Sequence, residues 1–114
     1  MADTVFHKIM RKEIPTTIVY EDEQLVAFRD VSPVADTHLL IVPRKTIPSV
    51  AQATAADATL LGNMVLVASE LAHREGISDS GYRLVINCGG DGGQSVDQLH
   101  LHLLGGRSFS WPPG

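Results

Sequence analysis

The 114-residue sequence contains one cysteine, Cys88. No intramolecular disulfide can form, and a reducing, cytoplasmic setting is the expectation. Positive charge is also scarce: nine Lys and Arg stand against thirteen Asp and Glu, a formal net charge of −4. Binding to long nucleic acid rests on clustered cations that release counterions from phosphates, so that class of partner is excluded. A small nucleotide is not, because a few backbone amides and one or two imidazoles hold a phosphate whatever the net charge. Neither a signal peptide nor a stretch with the length and apolarity of a membrane span is read in the sequence, and no internal repeat or low-complexity segment interrupts it. What remains is 44% hydrophobic and 19% charged residues, an ordinary globular composition at a length that builds one modest core. A single domain over residues 1–114 is expected. Cys88 follows strand-like residues and has no cationic neighbour in sequence to activate it, so it reads as a small buried side chain.

Periodicity and punctuation give the element order. Asp3 or Thr4 can cap a short helix with Phe6, Ile9 and Met10 on one face, ending before Ile14-Pro15. Residues 16–20 and 25–28 are apolar or β-branched about a polar turn at 21–23, a hairpin signature. Ser32, Pro33 and Asp36 then break regular structure before a third strand at 38–42, closed by Pro43. Thr54 and Asp57 resemble a capping box ahead of Leu60, Met64, Val67 and Leu71, which recur at helical spacing until Gly76. Residues 82–87 and 96–104 are two further strands, joined by the glycine-rich stretch CGGDGGQ. Five strands and two helices without strand-helix alternation predict an α+β fold, a mainly antiparallel sheet with helix on one face. In the tail, residues 108–114, Pro112 and Pro113 forbid regular structure, and Trp111 is expected to pack against something.

The chemistry concentrates near the C-terminus. Gln98-Leu99-His100-Leu101-His102-Leu103 alternates polar and apolar, so a strand sends the leucines to one face and Gln98, His100 and His102 to the other. Alternate residues on a strand are ~6.6 Å apart, close enough for two imidazoles to flank one phosphate. A neutral imidazole approaches anionic phosphorus with little repulsion, and a neighbouring imidazolium can donate a proton near neutrality. The pattern alone leaves three readings open: phosphate chemistry, a metal site using His-x-His with His38, and incidental surface histidines. The preceding loop, Asn87 to Ser95, tilts the balance to phosphate, since its glycines let backbone amides approach a ligand and Ser95 adds a hydroxyl donor.

The segment GGQSVDQLHLHLLGG, together with FHKIMRKEIP, DVSPVADTHLLIVPRK and the ending WPPG, resembles the histidine triad (HIT) family and within it the Hint branch. The resemblance runs over nearly the whole chain. It implies a homodimer with a continuous antiparallel sheet, and hydrolysis of purine nucleoside phosphoramidates, such as adenosine 5′-phosphoramidate, through a nucleotidyl-histidine intermediate. It also implies roles: His100 as nucleophile; His102 and His38 contacting the phosphate or supplying protons, with Ser95 assisting; Asn87, Gly93, Gln94 and Ser95 on the phosphate side. Asp30 would accept from the ribose hydroxyls, and Phe6, Ile9, Ile14, Phe28, Val31 and Leu40 would line the base pocket. By composition alone those apolar residues read as core and Asp30 as a turn residue. No cofactor or metal is expected, and His7 and His73 read as solvated helix residues.

One position departs from the family pattern. Gln98 stands where the first histidine of the triad belongs, and Gln cannot exchange a proton near neutral pH. The resemblance implies that the main-chain carbonyl of residue 98 orients His100, a function the substitution preserves. Three alternatives stay open: a dinucleoside polyphosphate hydrolase, a nucleotide-binding interaction module with weakened catalysis, and a zinc-binding protein using His38, His100 and His102.

Overall fold

The computed structural model describes residues 3–114. A six-residue helix α1 (Val5–Met10) is followed by strands β1 (Ile18–Glu21), β2 (Leu25–Arg29) and β3 (Thr37–Pro43), and then by two short 3-10 turns (Val50–Gln52 and Ala55–Asp57). The long helix α2 (Ala58–Arg74) leads to β4 (Tyr82–Val85) and β5 (Leu101–Gly105). The strands form one antiparallel sheet in the order β1-β2-β3-β5-β4.

Local chemistry accounts for the ends of these elements. Thr4 caps α1, and His7 completes the capping box by accepting the Thr4 N–H at its Nδ1 (3.0 Å). The other nitrogen of the ring, Nε2, meets Thr46 Oγ1 at 3.2 Å, so His7 is a structural tie rather than the solvated residue expected; His73 is exposed, as expected. Asp22 makes the hairpin turn by accepting from the Gln24 and Leu25 amides (2.7 and 2.8 Å). Thr54 and Asp57 do form a capping box, but around a 3-10 turn, so the α-helix proper begins at Ala58. It ends where Gly76, at φ +75°, lets the Ile77 and Gly76 amides turn back onto the Ala72 and His73 carbonyls.

All seven residues of β3 are buried because apolar groups cover both of its faces. Leu39 and Ile41 join Leu101, Leu103 and the inner stripe of α2 (Leu60, Met64, Val67, Leu71) in the main core. Leu40 and Val42 turn the other way and meet Val26, Phe28, and Phe6 and Ile9 of α1 in a second cluster. The sequence led us to expect helix on one face only. The short α1 covers part of the other because Phe6 and Ile9 have no other apolar surface to bury, each such burial stabilising by about 1.5–3 kcal/mol.

Two further expectations change. The segment Ala55–Arg74 reaches a mean hydropathy of 1.2 over an 18-residue window, so by length and composition it is apolar enough to cross a membrane, contrary to the sequence reading. Its buried stripe against the sheet is instead that of a core helix. Trp111 is 82% exposed in the single chain and Cys88 is half-buried; neither finds the covering expected of it, because the tail and the glycine-rich loop both run over the surface.

Candidate active site

The histidines gather because β3 lies beside β5. The register pairs His38 with Leu104 and Leu40 with His102, which brings together rings 64 residues apart in sequence. Leu99, Leu101 and Leu103 enter the main core, leaving His100 and His102 on the face of the second cluster. Their ring centroids are 5.0 Å apart, and those of His38 and His102 are 5.2 Å apart. Phe6 of α1 meets the His100 ring edge-on at 4.9 Å, and Phe28 packs edge-on against Phe6 at 5.5 Å.

Hydrogen bonds fix the tautomers. His100, only 3% exposed, places Nδ1 2.7 Å from the Gln98 carbonyl; a carbonyl only accepts, so Nδ1 carries a proton, and in the neutral ring it is Nε2 that holds the lone pair. The Val34 amide donates to His38 Nδ1 (3.2 Å), which puts the His38 proton on Nε2, 2.9 Å from His102 Nδ1. His102 Nδ1 therefore accepts, and its own proton sits on Nε2. Asp30 Oδ2 lies 3.4 Å from His38 Nε2, while Asp30 Oδ1 takes the Ser32 amide at 2.8 Å.

Beside these rings is a cleft of about 310 Å³, within the lower range of small-molecule sites. Phe6, Ile9, Ile14, Phe28, Val31 and Leu40 line its apolar part, with Asp30, Ser95, His100 and His102 as polar members. Val31 stands at the rim, 83% exposed. Val5, Pro15, Thr16, Arg29 and Val96 also line it and were missed; Val96 alone carried a signal, as the residue that follows Ser95 at the start of the strand expected over 96–104.

Three other residues named for the phosphate side occupy the loop beside the cleft. Asn87 Nδ2 donates to the Gly92 carbonyl (2.7 Å), and Gly93 adopts φ +77°. Gln94 donates from Nε2 to the Pro48 and Val96 carbonyls (2.7 and 2.9 Å) and accepts the Gly89 amide at Oε1, so its side chain ties the loop down. A Cβ at Gly92 would collide with the Cys88 carbonyl; only glycine permits this close a fold-back.

Gln98 departs most from expectation. The strand ladder of β5 begins at Leu101 rather than at residue 96, and the fully buried Gln98 side chain is turned away from the histidines. It donates to the Pro43 and Lys45 carbonyls (2.9 and 2.8 Å) and accepts the Ile47 amide (3.1 Å).

Electrostatics keep the paired rings neutral. Burial, then the proximity of His100 and His38, pushes His102 down to about 4, with Asp30 opposing; burial also lowers His38, again against Asp30. Between pH 6.5 and about 4 the unfolded chain therefore holds protons on these rings that the folded chain resists. Stability from this source is complete above about pH 6.5 and is lost as the pH falls through about 4. Urea midpoints at pH 7 and pH 4.5 measure it: the midpoint falls in the parent and falls less in His102→Asn. Equal drops in the two proteins would contradict this assignment.

The metal reading can be tested on the same geometry. Ligand atoms of Asp30, His38 and His102 lie within 4.8 Å of one another, so the candidate donor set contains Asp30 in place of His100. A metal-bound histidine ordinarily donates its second N–H to an acceptor. The second nitrogen of His38 faces the Val34 N–H instead, and its Nε2 proton fills the space toward His102. The donor set does not fit a metal.

An antiparallel sheet that presents three imidazoles beside a largely apolar cleft of about 310 Å³ defines a class of histidine-bearing small-ligand proteins. Residues 11–109 match the HIT domain family model, and the chain belongs to the HIT family. An uncharacterized HIT-like protein from Synechocystis sp. is 54% identical over 112 residues, spanning 98% of this chain and 97% of its own. A 14 kDa zinc-binding protein from Zea mays is 50% identical over 113 residues, spanning 97% and 88%. Among solved structures, a HIT family hydrolase from Legionella pneumophila superposes with a TM-score of 0.95 at 50% identity, covering 98% of this chain and all of that one.

Proposed function

We propose that this protein is a cytoplasmic, Hint-type hydrolase of purine nucleoside 5′-phosphoramidates that works through a nucleotidyl-His100 intermediate. The observation that carries the reading is the bond from His100 Nδ1 to the Gln98 carbonyl, which leaves Nε2 as a lone pair beside the cleft. The base would lie against Phe6, Ile9 and Phe28, and the ribose hydroxyls would donate to Asp30. A phosphate anion seated against the histidines supplies the opposite charge they lack and favours proton uptake by His102. His100 Nε2 attacks the α-phosphorus, the P–N bond breaks, and the amine leaves with the proton from His102. Water then displaces His100 from phosphorus, releasing the nucleoside monophosphate and returning a proton to His102. Ser95 and nearby loop amides would steady the phosphoryl oxygens. Quenching in alkaline denaturant, in which an N-phosphoryl histidine survives, followed by mass spectrometry after mixing with adenosine 5′-phosphoramidate tests the intermediate: a nucleotidyl adduct on His100 is expected, and its absence during turnover would refute the covalent route. Faster turnover of diadenosine polyphosphates than of any phosphoramidate in the same assay would transfer the protein to the polyphosphate reading.

A homodimer with a continuous sheet belongs to the same proposal. The β1 edge is guarded by a register break between Ile18 and Tyr20 and by Glu21 paired with Lys12 and Arg44, devices that discourage pairing. The β4 edge has no such bulge, and Val65, Leu66, Ile86 and Trp111 remain exposed on the single chain. Light scattering at micromolar concentration is expected to give twice the chain mass; the mass of one chain would count against the dimer.

A further inference from the structure

We infer that Gln98 is a positioning residue, whose side-chain amide sets the tautomer of His100 by anchoring the peptide that carries the orienting carbonyl. The inference rests on the proposed role of His100 as nucleophile.

The peptide in question is poorly secured by the sheet. The β3–β5 register starts at the Ile41–Leu101 pair, so residue 98 precedes the ladder. Its backbone neighbourhood is held by the Leu99 amide on the Ile47 carbonyl (2.7 Å) and by the Gln98 side chain. That side chain spends both N–H groups, on Pro43 and Lys45, and uses its oxygen on Ile47, so one amide replaces three ladder bonds. The same residue's carbonyl is the acceptor that holds His100 Nδ1. If the 98 peptide rotates, His100 loses the only acceptor assigned to Nδ1, and the proton can move to Nε2, where it removes the nucleophilic lone pair.

The anchor also reaches the apolar wall of the cleft. Residues 43–47, which Gln98 grips, include Thr46, the partner of His7 on α1. The preceding residue of α1, Phe6, meets the His100 ring edge-on. The wall on which a base would stack and the carbonyl that orients the nucleophile thus share one turn. A neutral histidine at position 98 could offer that turn one donor and one acceptor, leaving one of the two carbonyls unpaired, and an imidazolium there would have no acceptor for the Ile47 amide. The substitution that looked like a lost triad member is, on this geometry, the better anchor.

The test uses the full-length protein, Gln98→His and Gln98→Leu, with steady-state kinetics on adenosine 5′-phosphoramidate and ¹⁵N spectra of the histidine rings. For the parent, a single Nδ1–H tautomer at His100 is expected. Gln98→His should lower kcat three- to tenfold. Gln98→Leu should lower it thirtyfold or more with KM within threefold, and its spectra should show a mixture of His100 tautomers. A residue with a purely structural role would lower Tm while the folded protein kept the single tautomer and its kcat. That result in either folded variant, kcat within twofold and the tautomer unchanged, overturns the inference; if Gln98→Leu does not fold, Gln98→His decides. A gain beyond tenfold in Gln98→His also overturns it, by showing acid–base chemistry at the side chain. The spectra need no turnover, so they separate failure of this inference from failure of the covalent mechanism.

Discussion

Replacing His100 with alanine is expected to reduce kcat/KM for adenosine 5′-phosphoramidate by ~10⁴-fold or more, equivalent to ~5 kcal/mol of barrier. In the proposed mechanism the covalent step loses its nucleophile, and water would have to attack phosphorus without an intermediate. Nucleotide affinity should change far less. Phe6 loses an edge contact with the ring, which is worth about 0.5–1.5 kcal/mol and at most about a tenfold change in Kd. Calorimetric titration with AMP alongside turnover gives both quantities. Turnover within tenfold of the parent would remove His100 from the mechanism, whereas binding lost in proportion to turnover would assign it to the pocket rather than the chemistry.

The second large effect concerns proton delivery. His102→Ala removes the ring placed between His100 and His38, and with it the acid proposed for the departing amine. General acid catalysis contributes ~10²- to 10⁴-fold where the leaving group needs a proton. The loss should therefore approach 10³-fold for phosphoramidates of strongly basic alkylamines and shrink below about tenfold for a weakly basic arylamine. Comparing kcat/KM across such a series measures the dependence. An equal loss for every leaving group would show that His102 only shapes the site.

The sequence was most informative where the cause was local. The capping residues Thr4 and Thr54, the Asp22 turn and the helix stop at Gly76 each act within a few residues, and strand alternation correctly sent Leu99, Leu101 and Leu103 to the core and His100 and His102 to the other face. Alternation failed at Gln98 for a physical reason. Three bonds to the backbone of Pro43, Lys45 and Ile47 hold its side chain in the turn at residues 43–47, a partner that lies more than fifty residues away in sequence. His7 was misread for a related one, since its partner Thr46 is 39 residues away and leaves no mark on the helical pattern.

What the sequence by itself determined is the set of strands and helices, the leucine face that β5 buries and the alternation of its imidazoles, because these follow from backbone sterics and the cost of leaving apolar surface in water. The tertiary structure alone decided which atoms meet. The pairing of β3 with β5 placed His38 Nε2 on His102 Nδ1, and the Val34 amide then dictated which nitrogen holds each proton. The turn at residues 43–47 took the Gln98 side chain out of the cluster and left only its carbonyl to serve His100. Hydrogen bonds are directional and short, so the chemistry of an imidazole depends on neighbours a few ångströms away that the linear order does not specify.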